Sequence, residues 1–313
     1  MTIKLVATDM DGTFLNDRGE YDQKRFAKDY AALRQRGIQF VIASGHQAAE
    51  LATTFSDYPD MWMIGGNGAE LWQRAAGLTA TTFSPTATQQ ILTALSAYDD
   101  LQIALCGTET VHVLKYADPQ FVANMQQYYY RVATCDDLMA VTDPVVKFDI
   151  ICPPALTDQL VYELTPKLAG IAVPASGGQG SLDLIQPGMH KGRALKQLGA
   201  QLGITADEML VFGDGTNDLE MFHYAGHAVA MHNAPANVRA NATAVTGTNI
   251  DNGVLDYIEK HLLSLFKTVG VLIEVAFGSC KRGRLLVAEW ARQSCRRGQL
   301  GFRAMSDLVR STM

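Results

Sequence analysis

Two acidic clusters far apart in the chain hold residues whose types and spacing could bind a cation against an anion. Asp9-Met10-Asp11-Gly12-Thr13 puts two carboxylates two residues apart at the end of a short apolar run, Ile3 to Thr8. At a strand end, side chains two apart point the same way. Two carboxylates about 4 Å apart repel by roughly 4 kcal/mol at an effective dielectric of 20. A metal ion, or a proton held by one of them, must offset that repulsion, and either is useful in catalysis. Gly12 lets the backbone turn with its amides inward and Thr13 adds a hydroxyl, a nest that suits a phosphate. The plainer reading of the same residues is a turn with a helix-capping aspartate. Gly213-Asp214-Gly215-Thr216-Asn217-Asp218 is the second cluster, after the apolar run Met209 to Phe212. Carboxylates from Asp9 and Asp214 suit Mg²⁺, which takes a few such ligands together with water and substrate phosphate. Asn217 and Asp218 could equally cap the helix that follows. Ser44 and Lys191 would add a hydroxyl and an ammonium to an anion cradle; taken singly they read as a turn serine and a solvated lysine.

The elements that must position these residues alternate. Ile3 to Thr8 is a strand, Asp22 to Arg36 a helix with Phe26, Tyr30 and Leu33 at helical spacing and Gly37 as its stop, and Ile38 to Ala43 a second strand ending at Ser44-Gly45. A short helix, Gln47 to Phe55, precedes a third strand, Trp62 to Ile64, and the glycine-rich Gly65-Gly66-Asn67-Gly68. Continuous apolar strands separated by helices imply an α/β, doubly wound parallel sheet covered on both faces, with ligands at the carboxyl ends of its strands. The middle differs. A helix capped by Ser84 leads to an expected hairpin of Leu101 to Cys106 with Val111 to Tyr116, then a helix running through Tyr128-Tyr129-Tyr130, a strand Val145 to Cys152, a helix Leu156 to Leu168 and two short strands, an α+β insert. After His190 the first pattern resumes, with a helix Lys191 to Leu202, strands at Met209 and Val229, and a last helix, Val254 to Leu265. The expected organisation is a discontinuous domain of residues 1–82 and 189–266, an inserted domain of residues 83–188, and a tail of residues 267–313.

The tail carries nine Lys/Arg and three Asp/Glu, +6, against −6 for the whole chain. It reads as foreign to the rest, an out-of-frame or artefactual extension or else a genuine basic appendage, and its removal is expected to leave activity intact. Overall acidity argues against a nucleic-acid partner. Five cysteines without a Cys-x-x-Cys pair make neither a disulfide framework nor a zinc site. With no signal-like start and no apolar run near the ~18 residues of a membrane span, the expected location is cytoplasmic and no membrane is expected as partner. Gly213-x-Gly215-x-x-Asp218 lacks the third glycine of a dinucleotide fingerprint, neither acidic loop fits a calcium-binding hand, and no Walker sequence is present.

The four clusters, taken in order, resemble the motifs of the haloacid dehalogenase superfamily. Asp9-Met-Asp-Gly-Thr-Phe-Leu15 is similar to the first, Val41-Ile-Ala-Ser-Gly45 to the second, His190-Lys-Gly-Arg-Ala-Leu195 to the third and Gly213-Asp-Gly-Thr-Asn-Asp218 to the fourth. The insert between the second and third, with Asn67-Gly-Ala69, Ser181-Leu-Asp-Leu-Ile185 and Ala230-Met-His-Asn-Ala234, resembles the Cof-like branch with its type-2 cap, and among these the bacterial sugar phosphatases of broad range. The resemblance covers residues 1–265. It implies a Rossmann-like core with an α+β cap, and Mg²⁺-dependent hydrolysis of small phosphorylated metabolites such as sugar phosphates. Asp9 would be the nucleophile and Asp11 the general acid and base. Mg²⁺ would be held by Asp9, the Asp11 backbone carbonyl and Asp214, with Asp218 orienting metal-bound water. Gly12, Thr13, Ser44, Gly45, Lys191 and Asn217 would hold the phosphate. His46 stands where many relatives have arginine, which makes a fixed cation pH-dependent; its plainer reading is a loop histidine. Together with Asn67, Ser176, Gly177 and Gly178 it is a candidate for substrate choice. A monomer or small homo-oligomer is expected. A phosphomutase that shields the same aspartyl-phosphate from water, and a non-catalytic phosphometabolite sensor, are the alternatives; a sensor has no need of both Asp9 and Asp11.

Overall fold

The computed structural model describes residues 2–178 and 180–264; the basic stretch 267–313 lies outside them. The chain begins with β1 (Leu5–Thr8), α1 (Gln23–Gln35), β2 (Gln39–Ala43), α2 (Ala48–Thr54), β3 (Trp62–Gly65) and the hairpin β4 (Glu70–Gln73) and β5 (Gly77–Ala80). It continues into α3 (Pro85–Leu95), β6 (Gln102–Gly107), β7 (Val111–Leu114), α4 (Pro119–Tyr128), β8 (Val132–Cys135), β9 (Val145–Ile151), α5 (Thr157–Lys167), β10 (Val173–Gly178) and β11 (Ser181–Ile185). It returns through α6 (Lys191–Leu202), β12 (Met209–Gly213), α7 (Leu219–Tyr224), β13 (His227–Ala230), α8 (Ala236–Arg239), β14 (Ala244–Val245) and α9 (Gly253–Ile258).

The larger sheet runs β14-β13-β12-β1-β2-β3-β4-β5. Its first six strands are parallel and the β4–β5 hairpin is antiparallel. β1 is buried throughout and apolar up to Thr8 because both faces are covered. Val6 packs with Phe26, Phe40 and Phe212 on one side, and Leu5 and Ala7 with Leu195, Leu198 and Met221 on the other. α1 starts where Asp22 accepts the Arg25 amide at 3.0 Å and buries Phe26 and Leu33. Phe26 is the centre of an aromatic cluster with Phe14, Phe40 and Tyr58 at centroid distances of 4.9, 5.0 and 4.9 Å. Phe14 belongs to the loop after β1, so that loop is pinned to the core by its ring. The chain leaves β1 toward β2 on one side and reaches β12 on the other. The crevice this makes at the carboxyl end of β1 is where such sheets bind ligands.

The smaller sheet runs β10-β11-β9-β6-β7-β8. β6 and β7 form the expected hairpin, and β8 adds to it in parallel. α3 and α5 cover one face of this sheet through Ile91, Leu92, Leu160 and Leu164 against Phe148 and Ile150. One boundary differs from expectation: α4 ends at Tyr128, because Tyr129 turns extended (φ −120°, ψ 135°) to bury its ring with Phe121 and Met125. The last helix runs as α9 to Ile258 and continues as a π turn over Glu259–Leu263, and its expected end, Leu265, lies outside the described residues. The fold is α/β, a doubly wound core with an inserted α+β cap.

Candidate active site

Asp9 follows β1 directly, and its amide still bonds to the Phe212 carbonyl of β12 at 3.0 Å, so the sheet itself aims its side chain. Asp214 follows β12 in the same way. Lys191 is the first residue of α6 and fully buried. Its Nζ lies 2.5 Å from Asp9 Oδ1 and 2.7 Å from Asp218 Oδ1. Asp218 is also fully buried, and its Oδ2 accepts the Asp214 and Gly215 amides at 3.0 Å each, which shapes the loop after β12. Thr13 donates its hydroxyl to Asp214 Oδ1 at 2.7 Å. Gly12 has φ 71°, and a Cβ there would stand 2.4 Å from Asp214 Oδ2, so no larger residue fits.

Asp9, Asp214 and Asp218 each present an oxygen within 4.8 Å of the others. Among the described residues, Lys191 is the cation paired with this cluster, through Asp9 and Asp218. Burial, with the Asp218 and Asp214 charges and against Lys191, pushes the Asp9 carboxyl up to about 7. Burial also raises Asp214. Burial alone would lower Lys191; Asp218 and Asp9 outweigh it and raise it. A hard divalent cation among these oxygens would offset both the burial and the mutual repulsion, so the donor set fits Mg²⁺.

Asp11 turns away from this cluster. Its Oδ2 lies 2.9 Å from His46 Nε2, and His46 Nδ1 lies 2.9 Å from Glu50 Oε1. Held between two carboxylates, His46 is raised to about 10 although burial opposes it. Burial works to raise Asp11, and the His46 hydrogen bond and charge outweigh it and hold it below its ordinary value. Ser44 follows β2, is buried, and accepts the His46 amide at 3.1 Å. Asn67, in the left-handed region at φ 54°, receives the Asn217 side-chain amide at 3.3 Å and donates to Asp183 of the cap at 3.3 Å.

A cleft of 680 Å³ between core and cap is lined by Asp9, Asp11, Ser44, Gly45, His46, Asn67, Ser176, Asp214 and Asn217 among the residues anticipated. Gly12, Thr13, Lys191 and Asp218 are not among the lining residues, the last three being buried, and Gly177 and Gly178 end β10 where its pairing to Ser181 slips. Sequence reasoning missed Lys147, Asp149 and Asp183, which line the cap side, and Tyr129 beside them. The signal was available: Lys147-Phe-Asp149 alternates charge with an apolar residue inside an otherwise apolar strand.

Residues 6–258 match the haloacid dehalogenase-like hydrolases. The chain belongs to that family. It is 35% identical over 263 residues to the 5-amino-6-(5-phospho-D-ribitylamino)uracil phosphatase of Escherichia coli, covering 84% of this chain and 97% of that one. It is 27% identical over 237 residues to the HMP-PP phosphatase of Cronobacter sakazakii, covering 74% and 85%. A solved Streptococcus mutans structure superposes with a TM-score of 0.79 at 31% identity, covering 83% of this chain and 99% of its own. The hydrolase is an enzyme of phosphatase type, and no helix among its described residues is long and apolar enough to cross a membrane.

Proposed function

We propose that this hydrolase removes phosphate from small phosphorylated metabolites, sugar and sugar-alcohol phosphates first among them, with Mg²⁺ and through an aspartyl-phosphate on Asp9. The observation that carries the reading is the convergence of Asp9, Asp214 and Asp218 beside a cleft, with the buried Lys191 bonded to Asp9 and Asp218. The ribitylaminouracil and HMP-PP phosphatases among its relatives support small phosphorylated substrates.

Asp9, Asp214 and the Asp11 carbonyl would hold Mg²⁺, with Asp218 ordering its water; the ion would supply positive charge to the phosphoryl oxygens. Lys191 favours the ionised form of Asp9 against its burial and adds a second positive charge behind it. An Asp9 oxygen bonds to phosphorus as the ester P–O bond breaks, and the leaving oxygen takes a proton from the Asp11–His46 pair. Water then attacks the aspartyl-phosphate while Asp11 accepts its proton, which releases phosphate and restores Asp9. Ser44, Gly45, Asn217 and the Gly12–Thr13 backbone hold the phosphoryl oxygens. His46, Asn67, Ser176, Gly177 and Gly178 border the part of the substrate beyond the phosphate. The cap over the cleft limits water and large substrates. We place residues 1–82 and 189–266 in the core and 83–188 in the cap.

Phosphate release from a panel of sugar phosphates, with and without Mg²⁺, tests this. Release that requires Mg²⁺ and is lost in Asp9→Asn is expected. Isomerised product without free phosphate would make the enzyme a mutase instead.

A further inference from the structure

The cap sheet has one face divided in two. On β9, Phe148 and Ile150 point into the apolar cluster under α3 and α5, so Lys147, Asp149 and Ile151 point the other way. α4 covers half of that second face, packing Phe121 and Met125 on Ala104 and Cys106. The other half is open over the core. There Asp183 pairs directly opposite Asp149, and Ser181 opposite Ile151. All five of these open-half side chains line the same cleft as Asp9 and Asp11.

Their charges do not cancel. Lys147 is 5% exposed and lies 3.3 Å from both oxygens of Asp183, which neutralises it. Asp149 is then left over. Its Oδ2 accepts the Tyr129 hydroxyl at 2.8 Å, and among the described residues its Oδ1 has no hydrogen-bond partner. Tyr129 is itself buried, and the Lys147 ammonium lies 5.8 Å from its ring centre. Among the described residues Asp149 has no cation within ion-pair distance, and the buried Tyr129 fixes its carboxylate with one oxygen left to accept from a ligand. An ionised carboxylate only accepts hydrogen bonds.

We propose that this open half of the cap sheet is the subsite for the leaving group, with Asp149 as its reader and Tyr129 as the residue that positions Asp149. It takes a neutral leaving group rich in hydroxyl or amino donors and rejects one that bears a second anion. The inference rests on the phosphatase reading above and narrows its substrate class. A site built to accept donors discriminates strongly, because a substrate without them leaves the carboxylate unpaired. A second phosphate there meets a net charge of −1, from Lys147 against Asp149 and Asp183, and is repelled. Ile151 supplies the apolar side of the pocket.

The test measures kcat/KM for ribitol phosphate, ribulose bisphosphate and p-nitrophenyl phosphate, whose leaving group carries no donors, in wild type, Asp149→Asn and Tyr129→Phe, with folding checked by circular dichroism. The wild type is expected to prefer ribitol phosphate to the bisphosphate by about tenfold or more. Asp149→Asn should lower the ratio of ribitol phosphate to p-nitrophenyl phosphate by about tenfold and improve the bisphosphate; Tyr129→Phe should lower that ratio by about threefold. A ratio unchanged in Asp149→Asn, or a wild type that prefers the bisphosphate, overturns the subsite while hydrolysis of p-nitrophenyl phosphate upholds the phosphatase. Hydrolysis of none of the three overturns both.

Discussion

Lys191→Met removes the ammonium paired with Asp9 and Asp218 and keeps the volume of its stem. Two charge-assisted bonds are lost, at 2.5 and 2.7 Å, each worth about 1.5–3 kcal/mol. Asp218 keeps its two backbone amides, and Asp9, already pushed up to about 7, escapes part of the penalty by taking a proton. The net loss is about 3–5 kcal/mol near neutral pH, the range for breaking one side of a buried pair. The sign with pH follows. In the variant Asp9, already raised by burial, loses the Lys191 charge that opposed the rise, so the penalty is present at pH 7.5 and shrinks toward pH 5 as Asp9 protonates in the folded protein. Urea unfolding followed by circular dichroism, in chelator at the two pH values, reads this. Adding Asp218→Asn to Lys191→Met should recover at least about 1 kcal/mol. A loss under about 1 kcal/mol, or one equally large at both pH values, would refute a lysine that stabilises the cluster by charge.

Gly12→Ala forces a Cβ to 2.4 Å from Asp214 Oδ2 in a left-handed turn; displacing that carboxylate should cut kcat/KM by about a hundredfold and raise the Mg²⁺ concentration needed for half-activation. Phe26→Ala should destabilise the fold by about 3–5 kcal/mol, read as a shift in the urea midpoint. Glu70 is 2% exposed and accepts the Ala48 amide at 2.7 Å, and burial pushes its carboxyl from 4.5 up to about 7. Its contribution is fully present below pH 4.5 and lost as pH rises to about 7, on the order of 3 kcal/mol. Glu70→Gln, whose amide oxygen still accepts from Ala48, should flatten that part of the stability–pH curve; an unchanged slope contradicts it.

The core was legible because its signals are local. β1, β2 and β12 are buried on both faces and so read as apolar runs, and each ends in a polar cluster at the crevice. α6 begins at Lys191 as expected, since His190 caps it. The β4–β5 hairpin was not anticipated. Its outer strand, Gly77–Ala80, is mostly exposed and lacks an alternating pattern, and the inner one begins with the charged Glu70, buried only because Ala48 and the sheet receive it. Tyr129 was expected inside a helix running through Tyr128-Tyr129-Tyr130; its burial against α4 and its bond to Asp149 depend on a strand that comes later in the chain. His46 could not be separated from a loop histidine by spacing, because its partner Asp11 lies 35 residues away. The cap side of the cleft was read least well for the same reason. Lys147, Asp149 and Asp183 acquire meaning only when β9 and β11 pair.

The most direct test of the account is whether phosphorus is ever bonded to Asp9. Wild-type enzyme turning over ribitol phosphate with Mg²⁺ would be quenched in acid, digested and weighed by mass spectrometry. One phosphoryl group on the peptide carrying Asp9, absent in Asp9→Asn along with phosphate release, is the predicted result. Phosphate release that continues in Asp9→Asn, or a phosphoryl group found only on another residue, would contradict it.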